Sequence, residues 1–141
     1  MSLIAPTPSA ASRGWNLALW IGQLALGLLY LMGVWMHLAL SPQQMAAMGA
    51  VWALGAPLAL VRFIGVMELL GVLGLILPAA TRILPGLTVW AAAGLLAIQA
   101  LAIPFHILRG EVAPLPFNLV YVALCLFVLW GRTRKAPIAP R

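Results

Sequence analysis

The sequence is poor in charge and almost without acid. Of its 141 residues only 7% are charged, with two Asp or Glu against eight Lys or Arg. A soluble domain is about a quarter charged and about half apolar, whereas 65% of this chain is hydrophobic. A soluble domain of this size exposes too much surface to hide that share of apolar side chains. A soluble globular enzyme is thereby excluded, and so is a disordered chain, which needs low hydrophobicity and high charge. The single cysteine, Cys125, lies in an apolar run. Intrachain disulfides, CxxC exchange and cysteine-rich metal sites are therefore excluded, and Cys125 reads as a small buried hydrophobe. There is no nucleotide-binding loop, no carboxylate cluster for a metal and no soluble catalytic domain. The net charge of +6 would suit nucleic acid only on a folded basic face, which no segment here can form. What remains is an integral membrane protein in a lipid bilayer.

Four apolar runs are each close to the length needed to cross a hydrocarbon core of ~30 Å. They cover residues 15–40, 57–77, 84–105 and 112–130. The runs are continuous rather than alternating, which favours helices over a barrel. The expected fold is an all-α bundle of four transmembrane helices over residues 15–131. Residues 1–14 read as a flexible cytoplasmic tail, and residues 132–141 as a basic cytoplasmic tail. A cleaved signal peptide is a poor fit, because the first run exceeds the ~7–15 residues of a signal core. Pro78 closes the second run, and Pro85 suits the first turn of the third. Pro114 and Pro116 open the fourth, and Gly131 stands where helices commonly end.

The connection between the first two spans has its own start signal, Ser41 followed by Pro42. It predicts a short interfacial helix of about ten residues with Met45, Met48 and Trp52 on one face. Arg13, Arg82, Arg132, Arg134, Lys135 and Arg141 all fall on one side of the four spans. The first connection is uncharged, and Glu111 cancels Arg109 in the third. The positive-inside rule then places both termini in the cytoplasm.

Glu68 is the most informative residue, since it falls near the middle of the second span. A charge there costs roughly 2.5–3.5 kcal/mol, so Glu68 is expected inside the bundle, within reach of a polar group on another helix. It reads either as a ligand or proton-handling group or as a structural anchor. At about 100° per residue, Arg62 stands on a different face and reads as snorkelling to the outer interface. His37, Arg62, Gln99, His106 and Asn118 all fall in the outer half, with Glu68 at its floor. Trp35, close to His37, is a candidate to line a pocket there. This convergence is the candidate ligand-binding site. Without a cationic neighbour, Glu68 is expected as the neutral acid, donating to Gln99 or to a ligand carbonyl. With Arg62 or a protonated histidine beside it, the carboxylate should persist. The neutral form is favoured because those groups lie nearer the outer surface. Gly65, Gly71 and Gly74 read as one small-residue flank for close helix packing.

The stretch Arg62-Phe63-Ile64-Gly65-Val66-Met67-Glu68-Leu69-Leu70-Gly71-Val72-Leu73-Gly74 resembles the second-helix motif of the DoxX-like family of small bacterial membrane proteins. Pro78, Phe105-His106, Arg109-Gly110-Glu111 and Asn118 fit the later pattern, so the resemblance spans roughly residues 14–132. It implies a four-helix membrane bundle in the bacterial inner membrane. The family's Arg, Glu, His and Asn map onto Arg62, Glu68, His106 and Asn118, with no settled catalytic role to carry over. Relatives are linked to quinone-coupled sulfur oxidation and redox defence as partner subunits, and a eukaryotic relative to receptor assembly.

Two functions from different classes follow. The first is a non-catalytic subunit or assembly factor of a membrane redox complex, not an enzyme on its own. Its partners would be other membrane subunits or further copies of the chain. The second is a redox subunit holding a quinone or other lipophilic molecule in the outer half, where an apolar slot needs only a few hydrogen-bonding groups. Haem is disfavoured, because His37 and His106 sit at span ends without a recognisable motif. A transporter is disfavoured because four short spans lack paired broken helices.

Overall fold

The computed structural model describes residues 10–141, with side chains from Ser12 onward. Helix α1 runs Ala10–Ala39, α2 Pro42–Ala47, α3 Leu58–Thr81, α4 Gly86–Leu108 and α5 Leu115–Trp130. A 3-10 turn at Val51–Leu54 and a π-helical turn at Gly131–Lys135 complete the described elements. Among the described residues, four helices are long and apolar enough to cross a membrane. In lipid no water satisfies an open backbone, so continuous apolar runs become helices whose hydrogen bonds close internally. α1 packs on α3 and α5, α3 on α4, and α4 on α5, closing a ring.

The interior seam follows alternating steps of three and four residues on every long helix. On α3 it is Val61, Gly65, Glu68, Val72, Leu75 and Ala79, all buried. On α4 it runs through Thr88, Ala92, Leu95, Gln99 and His106, and on α5 through Asn118, Cys125 and Val128. On α1 it includes Leu19, Gln23, Leu26 and Tyr30. Such spacing is that of left-handed, coiled-coil-like bundles. Leu26, Leu75, Ala92, Leu95, Cys125 and Val128 form the apolar middle.

Several boundaries differ from the sequence reading. The expected tail at residues 1–14 falls mainly on residues 1–9, outside the described residues, while residues 10–14 are the start of α1. α3 continues through Pro78 to Thr81. A proline removes one backbone donor, and here that loss falls in the last turn, where Thr81 Oγ1 also donates to the Leu77 carbonyl at 2.8 Å. The expected ten-residue interfacial helix is two pieces. Ser41 does cap α2, with Gln44 completing a capping box. Gly49 at φ 99° then breaks the path, a left-handed conformation suited to glycine. Met45 and Ala53 are buried against Val61, whereas Met48 is exposed.

The three glycines of α3 do not share a flank. A Cβ on Gly65 would lie 2.9 Å from the His37 Cβ on α1, and one on Gly74 would lie 2.9 Å from the Ala91 Cβ on α4. Gly71 faces Leu95 on α4. Gly65 thus admits α1, while Gly71 and Gly74 admit α4. Arg132 is not part of a solvated tail: it is 3% exposed.

Candidate functional site

At the end of the bundle that carries α2, the chain's two carboxylates meet its two histidines. His37 Nδ1 lies 2.7 Å from Glu68 Oε2, and His106 Nδ1 lies 2.8 Å from Glu111 Oε2. The interior helical positions of α1 and α3 bring the first pair together. Gly33 leaves the space, since a Cβ there would stand 3.2 Å from Glu68 Oε2. Glu68 therefore faces inward and meets a polar group of another helix. That group is His37 rather than Gln99, so of the two arrangements expected for Glu68 the structure shows the one with a histidine beside it. The hydrogen bond requires one proton between ring and carboxyl.

Arg62 stays apart from Glu68. It donates to the backbone carbonyls of His37 and of Leu40, the latter at 3.0 Å. These are orphan carbonyls at the C-terminus of α1, where a cation is favoured. Arg62 thus ties α3 to the end of α1, rather than extending free to the interface as its sequence position had indicated.

Gln99 and Asn118 form a second group. Asn118 Nδ2 donates to Gln99 Oε1 at 2.7 Å, Gln99 Nε2 donates to the Tyr30 hydroxyl at 2.9 Å, and that hydroxyl donates to the Leu95 carbonyl at 2.8 Å. All three side chains are buried. The relay links α5, α4 and α1 and ends on backbone, so every polar head in it finds a partner.

Aromatic rings join the two histidine pairs. Trp52 packs edge-to-face with His37 at 5.6 Å and with Phe105 at 6.2 Å, and Phe105 packs on His106 at 5.6 Å. Among the described residues, no three His, Cys, Asp or Glu side chains group to hold a metal. Trp35 is 47% exposed and does not line the site. It stands about 200° around α1 from His37, on the lipid side.

Glu111 caps this end. Burial tends to raise its carboxyl, but hydrogen bonds from His106 and Arg109, with the Arg109 charge, hold it below the ordinary carboxylate range. Arg109 Nε donates to Glu111 Oε1 at 2.8 Å, and its guanidinium lies 5.3 Å above the Phe105 ring. A carboxyl depressed on folding contributes stability above its unfolded pKa and loses it as pH falls through the folded value. Acidification below about pH 4.5, through the unfolded and then the lower folded value, is therefore expected to loosen the cap. The change should be read as a shift in tryptophan emission in the wild type that is absent in Glu111→Gln. An acid transition of equal size in both would defeat this assignment.

A further polar group lies at the opposite, basic end. Arg132 Nε donates to Gln23 Oε1 at 2.6 Å, and its Nη1 donates to Asn16 Oδ1 at 2.7 Å and to the Ala136 carbonyl at 3.2 Å. Gln23 Nε2 in turn donates to the Leu75 carbonyl at 2.9 Å. Sequence reasoning missed Tyr30, Gln23, Asn16, the buried place of Arg132 and the pairing of Glu111 with His106. The signal was present: Asn16, Gln23, Tyr30 and His37 recur at seven-residue steps along α1, a repeat that keeps one face.

These features define a polytopic membrane protein, a four-helix bundle whose polar residues lie on its interior seam. Residues 21–128 match the DoxX-like family. The chain belongs to that family, as the second-helix motif had indicated. No curated protein and no solved structure matches it.

Proposed function

We propose that the protein is a non-catalytic subunit, a partner or assembly factor of a membrane redox complex. The observation that supports this reading is the closure of its polar groups on one another. Glu68 and Glu111 are each engaged by a histidine, and the Asn118–Gln99–Tyr30 relay ends on a backbone carbonyl. A catalytic acid, base or nucleophile must offer a proton or lone pair to a substrate. Here the carboxylates and the Asn118–Gln99–Tyr30 heads serve to tie helix to helix, as in a structural module, while the histidines, held through Nδ1, keep Nε2 for a partner or ligand. The redox association rests on the family resemblance. We place the protein in the bacterial inner membrane with its basic end in the cytoplasm. Cysteines introduced at Gln44 and Arg134 should then label from opposite sides.

Purification of tagged protein in mild detergent tests the main reading. A membrane partner, or further copies of the chain, should co-purify at fixed stoichiometry. Partner-free protein with oxidoreductase activity of its own would overturn it.

A second reading has its own support, the placement of the His37–Glu68 pair beside the Trp52 and Phe105 rings. A quinone-like ligand would stack on the aromatic rings and accept a hydrogen bond from the histidine. The groove of about 310 Å³ between α1 and α3 is not such a site, because Leu24, Gly27, Leu28, Leu69, Ile76 and the other side chains lining it are apolar. Solvent extraction yielding a stoichiometric quinone, lost in Glu68→Gln, would favour this reading over the first.

A further inference from the structure

We propose that the seam between α1 and α5 at the basic end binds the phosphate of an anionic phospholipid headgroup. The inference is independent of the function proposed above.

The first observation is a buried charge without a counter-charge. Arg132 is 3% exposed, its contacts are to neutral oxygens of Asn16, Gln23 and Ala136 and to the face of the Trp20 ring, 5.6 Å away, and its Nη2 has no hydrogen-bond partner among the described residues. The chain has only two acidic side chains, and both are paired with histidines elsewhere. A buried cation is costly unless an anion compensates it. In this chain no acidic side chain is left to do so.

The second observation is how the end of α5 is built. It does not stop at Gly131 but widens into a π-helical turn over Gly131–Lys135, a rare form that recurs at functional sites. This turn carries both Arg132 and Lys135. The Lys135 ammonium lies 5.5 Å from the Trp15 ring and 5.0 Å from the Trp130 ring, and those rings pack edge-to-face at 5.2 Å. Lys135 and Trp130 are both exposed. Indoles settle at headgroup depth, so the ammonium is held at the level of lipid phosphate. Arg132 reaches Gln23, about two turns deeper along α1 than Asn16, and reinforces the positive field from beneath. A phosphate seated at the exposed Lys135 ammonium brings negative charge above the buried guanidinium without touching it, and the apolar helix surfaces accept the acyl chains. That combination selects a lipid over free phosphate.

The test uses the full chain in dodecylmaltoside, with phosphatidylglycerol, phosphatidylcholine or inorganic phosphate added separately. Phosphatidylglycerol should raise the melting temperature by roughly 3–5 °C over phosphatidylcholine. It should also be retained in native mass spectra. Lys135→Gln changes an exposed residue and should cut that retention about fivefold, the effect of one headgroup-level cation. Arg132→Gln should abolish the shift. If that variant does not fold, Lys135→Gln carries the test. No response to inorganic phosphate supports the lipid assignment, and an equal response overturns it. Equal retention of both lipids, or unchanged retention in Lys135→Gln, overturns the site.

Discussion

Glu68→Ala is expected to lower the unfolding free energy by about 3 kcal/mol. Glu68 is 5% exposed, and its carboxylate head fills the space that Gly33 leaves open. Removing it strands the His37 ring, bonded to it at 2.7 Å, beside an apolar span. A buried polar group without a partner loses its hydration and regains nothing. His37→Ala should cost a similar amount. The double variant should cost less than the sum, by about 1–3 kcal/mol, since either change alone already breaks the pair. Glu68→Gln keeps the volume and a hydrogen-bonding head, and should cost under about 1 kcal/mol. Thermal unfolding in detergent, followed by tryptophan fluorescence, reads all four variants. Strict additivity of the two alanine variants would show that the pair is not coupled.

The second large effect is steric. Gly65→Ala should lose about 1–3 kcal/mol by overpacking. The new methyl would stand 2.9 Å from the His37 Cβ and 2.7 Å from Leu38 Cδ2. A Cβ cannot swing aside, so α1 itself has to shift, and with it the His37–Glu68 contact. Gly74→Ala meets the Ala91 Cβ at 2.9 Å and should do comparable damage to the α3–α4 contact. Gly94 is the control, with nothing within 4 Å of a Cβ. Gly94→Ala should be neutral, or stabilising by about 0.5–1 kcal/mol, through helix propensity alone. Equal melting temperatures for the Gly65 and Gly94 variants would contradict the close approach of α1 and α3.

Run length and hydropathy were enough to read four spanning helices, because the demand that lipid makes on the backbone is local. The Ser41–Pro42 start was legible for the same reason: a cap needs only its neighbours in sequence. The unbroken ten-residue interfacial helix was misread at Gly49, whose positive φ cannot be told from its name. The inward direction of Glu68 was legible from solvation cost alone. So was its separation from Arg62, from helical periodicity.

The choice of partner was not legible in the same way. An interior carboxyl in a four-helix bundle has several polar groups to choose from, and the selection depends on how each helix is rotated and how near it comes. Gly33 and Gly65 let α1 close on α3, which gives Glu68 to His37 and leaves Gln99 to Tyr30 and Asn118. Arg132 carries the same lesson. By composition it belongs to a basic tail, yet the π-helical turn and the small Gly131, whose Cβ would run into Leu19, carry it into the bundle beside Gln23. Charge and hydropathy act residue by residue and can be read along the chain. Pairing depends on distances between helices, and those arise only when the glycines let the four spans come together.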